Sequence, residues 1–223
     1  MRRIVFAVLA LAASTAAGAQ KPVPPAPTPT PTTIPAPRLA PPAPAVAASS
    51  FASEEVRFAG RFFEGQWGPG AAGTEGPARL RITYGQPHAR GRRIIGGVVP
   101  LDSVWRLGAN LATELEADVD VRIGGTVIPR GLYTLFVQPA AASGTWQLVV
   151  SKQNFQWGTD YDRTQDFARI PLRVRTRAEP LESLSIYLVP TLDAQGAPRT
   201  TPHGTLSIIW EKTELSTDWV FGR

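Results

Sequence analysis

Between His88 and Asn110 the chain gathers the side chains best able to recognise a ligand: His88, Arg90, Arg92 and Arg93 in one short stretch, then Trp105, Arg106 and Asn110. A planar guanidinium beside an aromatic face suits carboxylates, phosphates and sugars, because its fork of N–H donors matches paired oxygens while the ring takes up apolar surface. Arg90, Arg92 and Arg93 are accordingly read as an anion cradle beside Trp105, Arg106 and Asn110. The competing reading is that these arginines bond loop carbonyls and lay their stems on apolar neighbours. Gly91, Gly96 and Gly97 favour that second reading, since glycines there point to a stretch whose sequence was set by backbone geometry. Trp105 and Trp157 lie beside Gly or Arg near strand ends and are the two tryptophans that could reach the surface and stack on a ligand. Trp146 and Trp210 fall in phase with aliphatic neighbours and belong to the core, while Trp67 and Trp219 stand in segments with no assigned element.

Other chemistry has little to work with. The chain has no cysteine and only His88 and His203, so thiolate catalysis is excluded and no metal-ligand spacing is present. Asp160-Tyr161-Asp162 lacks the further ligands and the glycine of a calcium loop. Ser103 next to Asp102 is an adjacency without a base, and no nucleophile elbow occurs. Glu114 and Glu116 would share one face of a strand, which suits paired acid and base work but suits a solvated face equally. No cofactor is implied, and no catalytic residue is assigned.

The elements that must position these residues are strands. Leu80, Ile82 and Tyr84 alternate with Arg79, Arg81 and Thr83; Val119, Val121 and Ile123 alternate with Asp118, Asp120 and Arg122 before a Gly124-Gly125 turn into Thr126-Val127-Ile128. Tyr133, Leu135 and Val137 share a face, as do Trp146, Leu148 and Val150, then Ile170, Leu172 and Val174, then Leu184, Ile186 and Leu188, and last Leu206, Ile208 and Trp210. Val56, Phe58 and Phe62-Phe63 suit an edge strand, with Gly65 to Gly76 a loop. No segment carries a helical stripe over three turns. Many short strands with regular turn signals predict an all-β fold, an antiparallel β-sandwich of about nine strands.

The run Tyr84-Gly85-Gln86-Pro87-His88-Ala89-Arg90-Gly91-Arg92-Arg93-Ile94-Ile95-Gly96-Gly97-Val98-Val99-Pro100 resembles the domain of unknown function 2911 family of exported bacterial proteins. Val104-Trp105-Arg106-Leu107-Gly108-Ala109-Asn110, Pro129-Arg130-Gly131-Leu132-Tyr133-Thr134-Leu135-Phe136, Trp157-Gly158 with Tyr161, and the strand at Arg169 continue the likeness in order, over roughly Ala78 to Trp210. Two positions depart from it: Gln86 stands where a basic residue is expected before the proline, and Leu111 where a glutamate is expected after the asparagine. The resemblance implies a shared β fold and a setting outside the cytoplasm, and no reaction. Tyr161 joins the ligand-binding candidates with Arg90, Arg92, Arg93, Trp105, Arg106, Asn110 and Trp157.

The amino terminus reads as an export signal: Arg2 and Arg3, an apolar run from Ile4 to Ala13, and Ala17-Gly18-Ala19 before an expected cleavage after Ala19. That stretch is shorter than the ~20 residues of a spanning helix, so no membrane span is expected in the mature chain. Residues 20–50 form a Pro, Ala and Thr-rich linker that holds 11 of the 22 prolines and cannot bury a core. Residues 51–223 are left as a single domain. The net charge of +5 is misleading, because the four basic residues before residue 51 have no acidic counterpart and the remainder sets 19 Lys and Arg against 18 Asp and Glu. A near-neutral domain argues against nucleic acid as a partner. The reading is a non-catalytic module of the periplasm or exterior that binds a small molecule, a glycan or an envelope protein. A hydrolase of cell-wall or glycan material and a purely structural module are the alternatives.

Overall fold

The structure, a computed structural model, describes residues 48–58, 61–63, 66–68, 78–101, 103–140, 144–192 and 201–222. The export signal lies outside these residues, as does the Pro-rich linker up to residue 47. Among the described residues no helix is long and apolar enough to cross a membrane.

The strands are β1 (Ser49–Phe58), β2 (Arg61–Phe63), β3 (Gln66–Gly68), β4 (Ala78–Pro87), β5 (Thr113–Ala117), β6 (Val121–Ile123), β7 (Thr126–Ile128), β8 (Gly131–Gln138), β9 (Trp146–Ser151), β10 (Asp166–Pro190) and β11 (His203–Phe221), with one short 3-10 turn at Arg163–Gln165. Hydrogen bonds join nine of them into a single open antiparallel sheet in the order β1-β4-β5-β8-β9-β10-β11-β6-β7, where the strand pattern suggests two sheets. β2 and β3 pair separately. The continuity runs through β10. Its first part, from Asp166 to Leu172, pairs with β9, and from Arg173 to Pro190 it pairs with β11, with register shifts around Leu181. What the pattern divides into two strands is thus one strand of 25 residues, whose middle is exposed and carries no apolar alternation to mark it.

Alternation decides which face is buried. β4 turns Ala78, Leu80, Ile82 and Tyr84 inward and Arg79 and Arg81 outward, where both arginines pair with Glu116 of β5. The odd-numbered arginines of β10 form a similar outer row: Arg173 meets Asp218 at 2.8 Å, and Arg175 and Arg177 share Glu214 of β11. One buried cluster takes side chains from both ends of the strand order: Phe58 of β1 lies 6.0 Å from Trp219 and 5.4 Å from Phe221 of β11, centroid to centroid. β4 also reaches β10, since the Tyr84 hydroxyl accepts from the Ile186 N–H at 3.1 Å and Gln86 Nε2 donates to the Leu184 carbonyl at 3.0 Å.

Candidate functional site

Two excursions leave the sheet and meet over β8. The first, residues 88–112, connects β4 to β5 and is too long to be a simple turn, a length that in compact domains usually signals a working loop. It is fastened at intervals: His88 bridges to Ser183 of β10, Trp105 exchanges both backbone bonds with Val137 of β8 at 2.7 and 2.9 Å, and Leu111 bridges to Trp157. Ala89, Ile94, Val99 and Leu107 anchor it in the core. The second excursion, residues 152–165, connects β9 to β10 and is pinned by Gln153, whose carbonyl accepts from the Thr134 hydroxyl at 2.6 Å and whose side chain bonds both Asp160 and Asp162. The two loops join where the Gly158 N–H donates to the Asn110 carbonyl at 2.9 Å.

Between them lies a concavity of about 310 Å³ lined by Val98, Val104, Trp105, Arg106, Phe136, Gly158, Thr159 and Tyr161. Phe136 is the floor. It points to the outer face of β8 yet is buried, because the loops cover that face. Tyr161 stands edge-on to it, with ring centroids 4.9 Å apart. Arg106 is half-buried and bonds the Gly108 carbonyl through Nε at 3.1 Å, which leaves its two terminal nitrogens without a bond to any described residue. Its stem lies over Gly158: a Cβ there would sit 2.5 Å from Arg106 Cδ, so the glycine makes room for the arginine. Leu107 and Asn110 hold φ of 51° and 64°, left-handed conformations that cost non-glycine residues energy and that recur where a loop is constrained for function.

The hydroxyl of Tyr161 is engaged by β10. It donates to Asp166 at 2.8 Å and accepts from Arg169 at 2.7 Å, while Arg169 also bonds Asp166 and Gln138. Burial first, then the Asp166 carboxylate, pushes the phenol from its ordinary 10.0 up to about 12, with Arg169 acting the other way. The fold thus favours the protonated phenol, so its contribution to stability is complete below pH 10.0 and is lost as pH rises to about 12. Urea titrations across that window should show wild type losing more stability than Tyr161→Phe, which has no phenol proton to lose. Parallel curves would show that the phenol is not held by this network.

Of the expected site residues, Trp105, Arg106 and Tyr161 are brought into one wall. Trp157 stands next to Gly158 and is 50% exposed, and Asn110 takes part through its carbonyl while its Nδ2 donates to Ser49 Oγ at 3.0 Å. Arg90, Arg92 and Arg93 do not line the concavity. Arg92 donates to the carbonyls of Ala89 and His88 at 3.1 and 2.6 Å, Arg93 Nε to the carbonyl of Ile95 at 3.1 Å, and the Arg90 N–H to Glu182 at 2.6 Å. Phe136 was not among the expected residues. Its signal was the unbroken apolar run Leu135-Phe136-Val137, which means a strand buried on both faces.

Among the described residues the other chemistry considered finds no assembled set. His88 Nδ1 lies 2.7 Å from Ser183 Oγ, but its Nε2 is buried without a partner, so no carboxylate orients the ring as nucleophile activation needs. Among the described residues no group of three or more His, Asp or Glu could hold a metal ion.

A model of a protein family described as a protein of unknown function (DUF2911) matches residues 70–218, about two thirds of the chain. The chain belongs to the DUF2911 family. The match takes in both excursions and every residue that lines the concavity, so in this DUF2911 protein the site is part of the family domain. No match is found among curated proteins or among solved structures.

Proposed function

We propose that this DUF2911 chain is an exported, non-catalytic binding module whose ligand is a small organic acid with an apolar body. One observation carries the reading: among the described residues Arg106 is the only charged one lining the concavity, it stands beside Trp105, Phe136 and Tyr161, and its terminal nitrogens bond no described residue. The nearby carboxylate of Asp166 is occupied by Tyr161 and Arg169. The lining offers polar and apolar surface together, as a ligand with both a charged and an apolar part requires, and about 310 Å³ falls at the low end of the ~300–1,000 Å³ that small-molecule sites span. Arg2-Arg3, the apolar run and Ala17-Gly18-Ala19 support export to the periplasm or exterior. The packing of Phe58 on Trp219 and Phe221 supports a sheet folded over into a sandwich.

A thermal-shift and calorimetry screen of the domain against aromatic and aliphatic carboxylic acids, each paired with its methyl ester, tests this. The acids should raise the midpoint and their esters should not. A charge-assisted hydrogen bond contributes ~1.5–3 kcal/mol, so Arg106→Gln should weaken acid binding about 10- to 100-fold. Esters that bind as well as acids, or no response to any acid, would overturn the assignment.

A further inference from the structure

The indole of Trp105 lines two spaces. One is the outer concavity; the other is a smaller apolar gap of about 20 Å³ among Ile95, Val99, Val137, Leu184, Ile208 and Trp210, where Thr213 is the one residue with a polar aliphatic side chain. The gap has about the room of a single water, but its apolar lining gives a water no set of partners. The partition is stiff. Trp105 stacks on Trp210 with centroids 5.7 Å apart and planes 22° apart, Trp210 Nε1 donates to the Glu182 carbonyl at 3.1 Å, and the backbone of Trp105 is bonded to Val137 on both sides.

We infer that Trp105 is a specificity-determining residue that sets the length limit of the ligand's apolar part, an inference that rests on the organic-acid reading of the same site. An acid whose carboxylate meets Arg106 extends its body over Phe136 and Tyr161 until it reaches the indole. The outer space holds about ten water volumes, room for a short body only. Each methylene that finds apolar surface there should tighten binding about fourfold, and each one beyond the indole should add nothing, because it has to stay in water. Removing the indole, which both spaces share, should join the outer space to the smaller gap, whose lining is apolar.

The experiment is a series of straight-chain monocarboxylates of increasing length, measured by calorimetry on wild type, Trp105→Ala and Trp105→Leu. Wild-type affinity should climb and then level off at a definite length. In Trp105→Ala the climb should continue for several more methylenes, with Trp105→Leu in between; Leu keeps apolar contact with Trp210 and guards against a variant too loosened to fold. Acids that bind wild type with no plateau, or a plateau at the same length in the variants, would overturn the role of Trp105 and leave the organic-acid reading in place. If no acid binds wild type, the organic-acid reading fails and the role of Trp105 with it.

Discussion

Gly85→Ala should lose about 3 kcal/mol of stability, the upper end of what over-packing costs, and should abolish ligand binding along with it. The reason is a crossing of two backbones. Loop residue Ala109 lies directly on β4, its N–H donating to the Gly85 carbonyl at 2.9 Å, and a Cβ at residue 85 would stand 1.9 Å from the Ala109 carbonyl oxygen. That atom belongs to the main chain, so no rotamer change can relieve the overlap. The loop has to lift, and it is held on both sides: Thr113 Oγ1 donates to the Leu107 carbonyl at 2.9 Å, and Asn110 accepts from Gly158. Arg106 and Trp105 sit just upstream of Ala109, so lifting it misplaces the donor and the partition together. Urea unfolding and Trp fluorescence would measure the effect, and hydrogen exchange at the Ala109 amide would locate it. A variant with wild-type stability and a protected Ala109 amide would show that the crossing is not as tight as the geometry makes it.

The same crossing shows how far the sequence can be read. The strands that bury one face are legible: Leu80, Ile82 and Tyr84 of β4, and Trp146, Leu148 and Val150 of β9, are all inside as their alternation predicts. Gly91, Gly96 and Gly97 could be recognised as backbone-determined, but Gly85 was not among them, and nothing in the spacing says which strand the loop will cross. β5 is read only through Glu114 and Glu116, because five residues between two loops give too short a pattern to stand out. β10 is divided in two since its middle is solvated and pairs without burying anything.

The site is legible in part for a related reason. Arg106 and Trp105 are conspicuous as residue types, and their excursion brings them together with Tyr161. Arg92 and Arg93 are equally conspicuous and yet turn back onto their own turn, because carbonyls of a tight loop lie within reach of their guanidinium groups. Residue type marks candidates for recognition; only the tertiary crossing decides which of them keeps free donors. Phe136 reverses the case, an unremarkable strand residue that becomes part of the concavity through what covers it.

Trp219→Ala should be the most destabilising single change in the domain, costing ~3–5 kcal/mol as large aromatic truncations in cores do. Trp219 is fully buried on β11 and touches both Phe58 and Phe221. Phe58 belongs to β1, at one edge of the sheet, whereas β11 pairs with β6 near the other. The indole therefore links parts of the sheet that the strand-to-strand hydrogen bonds leave far apart in order, and losing it should loosen both together. For a domain of this size the cost corresponds to a fall in melting temperature on the order of 10 °C. Trp219→Phe separates packing from polarity. The indole N–H is buried with no partner, so the native residue already carries the cost of an unsatisfied donor. Phenylalanine removes that donor while keeping most of the ring, and its smaller volume leaves a gap beside Phe58, so the two effects oppose. The expected result is a loss well below that of Trp219→Ala, on the order of 1 kcal/mol, as for a conservative core swap. Should Trp219→Phe prove as damaging as Trp219→Ala in calorimetric unfolding, the indole nitrogen must have a partner and the N–H would be part of what holds β11 to the rest of the sheet.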